Sequence, residues 1–450
     1  MSAIALLMGL LVLSYLGTLL VNLGKTRGLP SGIEFIVLGF AVGPHALGVL
    51  ELKVIDEFEP LVQVALGWLA FVVGLDFGRV EGRRVKQAST ALGIVCALVT
   101  GGVVAFAVYY AAPRLALPGI EGQKSRLLLA AGAGAVSAET ARYAVEWVQA
   151  RWGAKGPISR LLVDIGAADD LAPLVAAGAI FALSPAAGIA VTLPASGWFL
   201  ASFALGAGLG IVTAVLLRGA EGDAVWGAVI GTILLGVGAA ARFGLSTIFV
   251  TFVMGIALAA ASPARTALRH LVRPTERAVL YPMLLLAGAR VDVRPLVEHR
   301  SLAALVALVL CARIAGKLVS GLLVRASTAV AKPAGPLLGI VLLSSGPVST
   351  ACGLAFALRF PGPLGDTLLV AAVASAALGE LVSTLSLRAL LVEAGEIAPA
   401  SVAAAPSIPP PPPSVRPPER ATHPPPPPPS STRLPVAAVA DELGDPNDEP

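Results

Sequence analysis

The residues best placed to do chemistry are charged groups inside apolar segments. The stretch LLVDIGAADDLAPLV puts Asp169 and Asp170 near the middle of an apolar run over 156–184. A second run, 301–324, holds Arg313 and Lys317 four residues apart, hence on one face if it is helical. A charged side chain at mid-bilayer costs about 2.5–3.5 kcal/mol on insertion scales, so such residues mark ion and proton pathways. A single Asp–Lys pair would serve as glue between helices. Two adjacent aspartates do not fit that reading, because on a helix they point about 100° apart and repel each other. Oxygen-bearing residues gather in two further runs: Ser137, Glu139 and Thr140 in LLLAAGAGAVSAETARYAV, and Ser344, Ser345, Ser349 and Thr350 around Pro347 in LLGIVLLSSGPVSTACGLAF. Pro347 removes a backbone donor and crowds the preceding turn, so both runs read as helices broken near their middle. Half-helix ends carry partial charges, which Glu139 and Lys317 can compensate. Broken helices in corresponding positions of two halves point to a transporter's midplane site.

These residues need a membrane around them, and the composition supplies one. Of 450 residues 56% are hydrophobic and only 13% are charged, about half the charged share of a soluble domain. Continuous apolar runs of bilayer-spanning length recur to about residue 395; they do not alternate, which implies helices and not barrel strands. They are rich in Gly and Ala, which let helices approach closely. The spacing predicts thirteen spans: 2–24, 30–50, 59–77, 89–112, 124–148, 156–184, 194–217, 222–241, 243–262, 276–291, 301–324, 333–358 and 363–392. The first lacks a basic leader region and a cleavage site and reads as a retained span. The eighth and ninth nearly touch. Lys and Arg are in excess in the loops on one side, which puts the N-terminus outside and the C-terminus in the cytoplasm. The fold class is therefore an all-α polytopic membrane protein, with a transmembrane domain over 1–395.

From 396 to 450 the character changes. The runs PPPPP (409–413) and PPPPPP (424–429) cannot bury a core, and the segment reads as a disordered cytoplasmic tail with polyproline II bias. The net charge of +4 resides in short loops between spans and does not indicate nucleic acid. Cys96, Cys311 and Cys352 fall inside apolar runs as packing residues, with no CxxC pair. The four histidines form no HExxH. No cofactor, enzyme chemistry or metal beyond a transported ion is expected.

At this point the chain resembles the monovalent cation/proton antiporter superfamily over roughly residues 5–395. It looks closest to the thirteen-span bacterial sodium/proton antiporters and the membrane domains of potassium-efflux antiporters. LPSGIEFIVLGFAVGPHALGVL resembles the family's second span, LAFVVGLDF its third, LLLAGARVDVRPL its tenth, and LGELVS part of its last. ADDLAPL resembles the paired-acid motif that binds the cation, and ARIAGKLVSGLL the lysine-bearing span beside it. The resemblance implies inverted repeats, a homodimer in the cell's inner membrane, and exchange of a monovalent cation for protons, Na⁺ before K⁺. It implies Asp170 as the main carrier, Asp169 as its partner, and Lys317 as a charge paired with Asp169 when no cation is bound. Ser137, Glu139, Thr140 and Ser345 fall where the broken helices lend oxygens. Glu139, Pro347, Arg142 and Arg313 depart from the family's pattern. The rival expectations are a sodium-coupled solute symporter, which should lack the paired acid, and a channel-like K⁺ efflux protein, for which no TVGYG-type filter run is present.

Overall fold

A computed structural model describes residue 15 and residues 32–77, 79–80, 83–185, 192–219, 223–262, 265–335 and 337–397. The first expected span, apart from Tyr15, and the proline-rich segment lie outside the described residues. In chain order the helices are α1 (Ile33–Val42), α2 (Leu52–Glu57), α3 (Glu59–Asp76), α4 (Gln87–Leu115), α5 (Gly122–Ala138), α6 (Arg142–Trp152), α7 (Pro157–Asp169), α8 (Leu171–Leu183) and α9 (Ala195–Leu216). They continue with α10 (Asp223–Arg242), α11 (Thr247–Ala261), α12 (Arg265–Val272), α13 (Glu276–Arg290), α14 (Arg294–Glu298), α15 (Arg300–Ser327), α16 (Leu337–Val341), α17 (Pro347–Arg359) and α18 (Pro363–Glu393). Between α3 and α4 a two-residue antiparallel ladder pairs β1 (Arg79–Val80) with β2 (Arg83–Arg84).

Among the described residues seven segments are long and apolar enough to cross a membrane: α3, α4, the joined α7–α8, α9, α10, α15 and α18. The second, fifth, ninth, tenth and twelfth expected spans fall on shorter or interrupted helices: α1, α5–α6, α11, α13 and α16–α17. A long helix, a broken helix and a second long helix follow one another in each half: α4, α5–α6, α7–α8, and then α15, α16–α17, α18. Large apolar side chains such as Leu98, Phe106, Leu200, Ile211, Leu235 and Leu322 face outward, as lipid-facing surfaces require.

Small residues set the close contacts. A Cβ on Gly74 would meet the Phe252 carbonyl and one on Gly255 the Phe71 carbonyl, so α3 and α11 touch backbone to backbone. Gly39 and Gly288 do the same between α1 and α13. In the other bundle Gly316 of α15 lies against Thr100 of α4. There the Thr100 and Ser320 hydroxyls meet at 3.2 Å, and Ser320 donates to the Cys96 carbonyl at 3.1 Å.

Two features go beyond what the sequence alone shows. The sixth span runs as one membrane-length segment over Pro157–Leu183 but is interrupted at Asp170, where α7 ends at Asp169 and α8 begins at Leu171. Pro173 explains the break, because it has no N–H to give the Asp169 carbonyl four residues earlier. The stretch from Arg265, expected as loop, forms the short helix α12. Leu268 and Val272 of α12 are buried while Arg265 and Arg269 share a face four residues apart. The eighth and ninth spans are separated by a turn at Gly244 (φ 64°), after which the Ser246 hydroxyl caps α11 by accepting the Phe249 N–H at 3.4 Å.

Candidate functional site

The two broken helices meet at their gaps. The Ala141 N–H donates to the Ser344 carbonyl at 3.2 Å, and the Thr140 hydroxyl lies 3.4 Å from the Leu342 carbonyl. The half-helices α5 and α16 end here with carbonyls that have no helical partner, and α17 starts here with free N–H groups. Charged side chains complete these ends. Arg313, fully buried, donates to the carbonyls of Glu139 (3.1 Å), Leu343 (3.2 Å) and Ser344 (3.2 Å) and to the Ser345 hydroxyl (3.3 Å). One guanidinium thus serves the C-terminal ends of both half-helices. Lys317, one turn further along α15, donates to the Ala138 carbonyl and the Thr140 hydroxyl, each at 2.7 Å.

Glu139 does the opposite service. Its carboxylate accepts the Val348 N–H at 3.4 Å and the Ser349 N–H, capping α17. Pro347 is then in place at the first helical position, where no N–H is needed. Gly346 is required for the same reason, since a Cβ there would collide with the Glu139 carboxylate. The expected compensation by Glu139 and Lys317 is present. Arg313, a departure from the family pattern, does most of the work at the carbonyl ends.

Asp169 and Asp170 stand beside this crossing, at the α7–α8 break. Asp169 is wholly buried. Its Oδ2 lies 3.8 Å from Lys317 Nζ, and among the described residues neither of its oxygens meets a donor in hydrogen-bond geometry. Asp170 differs: it is 5% exposed and has no side-chain hydrogen bond and no ion pair within 4 Å among the described residues. Glu139, Asp169, Arg142 and Glu276 are the charged groups that act on it. Ser137 is also buried, and among the described residues its hydroxyl has no partner. The Ser345 and Thr140 oxygens are taken up by Arg313 and Lys317.

A second polar group, which the sequence reading missed, adjoins Asp170. Asp76, at the end of α3, pairs with Arg142 (3.3 Å) and with Arg269 of α12 (2.7 Å). Arg142 also donates to the Tyr143 hydroxyl at 3.2 Å, and that hydroxyl donates to Glu276 at the start of α13. Arg142, unplaced from sequence, therefore belongs to this group. Its partners come from residues 76, 269 and 276, and no local spacing connects them.

Residues 10–393 match the family described as sodium/hydrogen exchanger, transmembrane. The chain belongs to that family. Among solved structures, this exchanger is similar to the sodium proton antiporter MjNhaP1 from Methanocaldococcus jannaschii at pH 8, with a TM-score of 0.66 and 14% identity, over 87% of this chain and 99% of that one. A three-dimensional electron microscopy map of the same antiporter gives a TM-score of 0.60 at 14% identity, over 87% and 98% of the two chains. At that identity the likeness is one of fold. No curated protein matches the exchanger in sequence.

Proposed function

We propose that this exchanger moves a monovalent cation against protons by alternating access, with Na⁺ the first candidate and K⁺ the second, and with Asp170 as the carrier. The observation that carries the reading is the unengaged Asp170 carboxylate at the break of α7–α8, beside an Asp169 that already faces Lys317 at 3.8 Å. A bare carboxylate in this apolar surround is costly, and a bound cation or proton neutralises it. The two loads therefore compete for one site, and either makes the moving unit neutral. Ser137, with its free hydroxyl, supplies a further oxygen. Glu139 is committed to α17, and Thr140 and Ser345 to Lys317 and Arg313, so these three shape the site more than they ligate the ion.

In this cycle Lys317 pairs with Asp169 when no cation is bound and separates from it when one is. The contacts Arg142–Asp76 and Tyr143–Glu276 join the broken-helix unit to α3 and α13. They close the cytoplasmic approach to Asp170 and part when it opens. The chain is read as a homodimer in the cell's inner membrane, N-terminus outside and C-terminus in the cytoplasm.

The test is pH-dye dequenching in proteoliposomes driven in turn by Na⁺, K⁺ and Li⁺, with Asp170→Asn alongside. The variant should insert and elute as the wild type does and show no exchange with any ion. Normal exchange by Asp170→Asn overturns the assignment.

A further inference from the structure

Arginines from two distant parts of the chain meet at one end of α3 and α11. The turn after α3 contributes Arg79 and Arg84, which pair across the β1–β2 ladder. The segment after α11 contributes Arg265, Arg269, His270 and Arg273. Two cavities open between them. The larger, about 460 Å³, is lined by Phe77, Arg79, Arg84, Ser262, Arg265 and Thr266, with Ala259 and Ala260 of α11. The smaller, about 270 Å³, shares Arg79, Arg265 and Thr266 with it and adds Arg269, His270 and Arg273. Among the described residues no carboxylate lines either cavity; Glu81, in the same turn, lies outside the described residues.

Among the described residues the nearby acid is already spent. Asp76 is shared by Arg142 and Arg269, and Glu146 faces Arg273 at 3.9 Å. Arg265 is held by the α3 end, donating to the Leu75 carbonyl (3.1 and 2.9 Å) and the Phe77 carbonyl (2.6 Å). Burial, and then the neighbouring Arg79, push its guanidinium below the ordinary value; Arg269 and Arg84 add to this while Asp76 opposes it. Arg79 and Arg84 make no ion pair among the described residues, and they face a cavity floored by apolar helix ends. A concave cationic wall with hydroxyl neighbours and an apolar floor is what a phosphate group beside an acyl chain needs. Guanidinium forks match phosphate oxygens bidentately, and basic pockets at the cytoplasmic ends of spans recognise anionic headgroups.

We propose that the joined cavities between the α3–α4 turn and α12 bind a phosphate group, taken from an anionic phospholipid headgroup or from a soluble phosphate, with Arg79 and Arg84 as its free ligands. The site lies outside the ion site, and its test does not read transport. The detergent-purified full chain is unfolded by heat against short-chain phosphatidylglycerol, short-chain phosphatidylcholine, or inorganic phosphate, all at fixed ionic strength. Wild type should gain a saturable rise in midpoint with phosphatidylglycerol and none with phosphatidylcholine. A matching rise with inorganic phosphate assigns the site to soluble phosphate; its absence assigns the site to lipid. The double variant R79Q/R84Q should keep its unliganded midpoint and need about thirty-fold more ligand for half the shift. If the double variant fails to fold, Arg84→Gln alone, at an exposed side chain, should shift half-saturation about five-fold. The proposal is overturned if neither anion shifts wild type, or if the folded variant responds as wild type does.

Discussion

The two cations of α15 lie one turn apart, yet the structure gives them different work, and this can be measured. Arg313 serves backbone: three carbonyls and the Ser345 hydroxyl depend on it. Gln at 313 offers no charge and at most two N–H groups, so at least two buried acceptors lose their donor, at about 1–3 kcal/mol each. With the lost charge at two helix ends, Arg313→Gln should cost about 3–5 kcal/mol, a large part of a typical stability of about 5–15 kcal/mol. Lys317 gives up less. It serves one carbonyl, one hydroxyl and the Asp169 carboxylate at 3.8 Å. Gln can keep one of the first two contacts, and a carboxylate can neutralise itself by taking up a proton where an orphaned carbonyl cannot. Lys317→Gln should therefore cost only about 1–2 kcal/mol, but the exchanger loses one titrating charge from its cycle. The assay is solid-supported-membrane current divided by dye-reported flux, with thermal unfolding on the same preparations. Lys317→Gln should keep slow exchange with the charge moved per cation falling toward zero; Arg313→Gln should keep the charge ratio in whatever fraction folds. An unchanged ratio for the lysine variant, together with a collapsed one for the arginine variant, refutes this division and gives the electrical role to Arg313.

Other consequences can be tested together. Gly346→Ala should displace the Glu139 carboxylate from α17 and lower stability by about 1–3 kcal/mol. In a Glu139→Ala background the same change should cost little, and equal costs in both backgrounds would exclude the cap. Removing residues 403–450 should leave exchange intact in vesicles. Removing 395–450 should not. It deletes Glu396, which accepts the Ile158 and Ser159 N–H groups at 2.6 and 3.0 Å, and the buried Ile397. The loss is about 2–5 kcal/mol, read as a lower unfolding midpoint, and an unaltered midpoint would show that this clasp on α7 is idle.

Much of this protein is written in its local sequence. Hydrophobic run length places helices because each span must satisfy its backbone within itself; α3, α4, α9, α10, α15 and α18 lie within a few residues of the expected bounds. The broken helices were legible too, since Pro347 and the small polar residues near Ser137 and Ser344 act on the backbone they belong to. The break at Asp170 had its signal in Pro173, four residues after Asp169, and the α12 helix in the spacing of Leu268 and Val272 against Arg265 and Arg269. What local sequence could not fix was partnership. Arg313 reaches carbonyls at 139, 343 and 344, Arg142 shares Asp76 with Arg269, and Glu396 caps a helix that begins at Pro157. A buried charge must find a counterpart somewhere, so the sequence announces that a partner exists. Which partner it is depends on which helices pack together, and only the tertiary structure decides that.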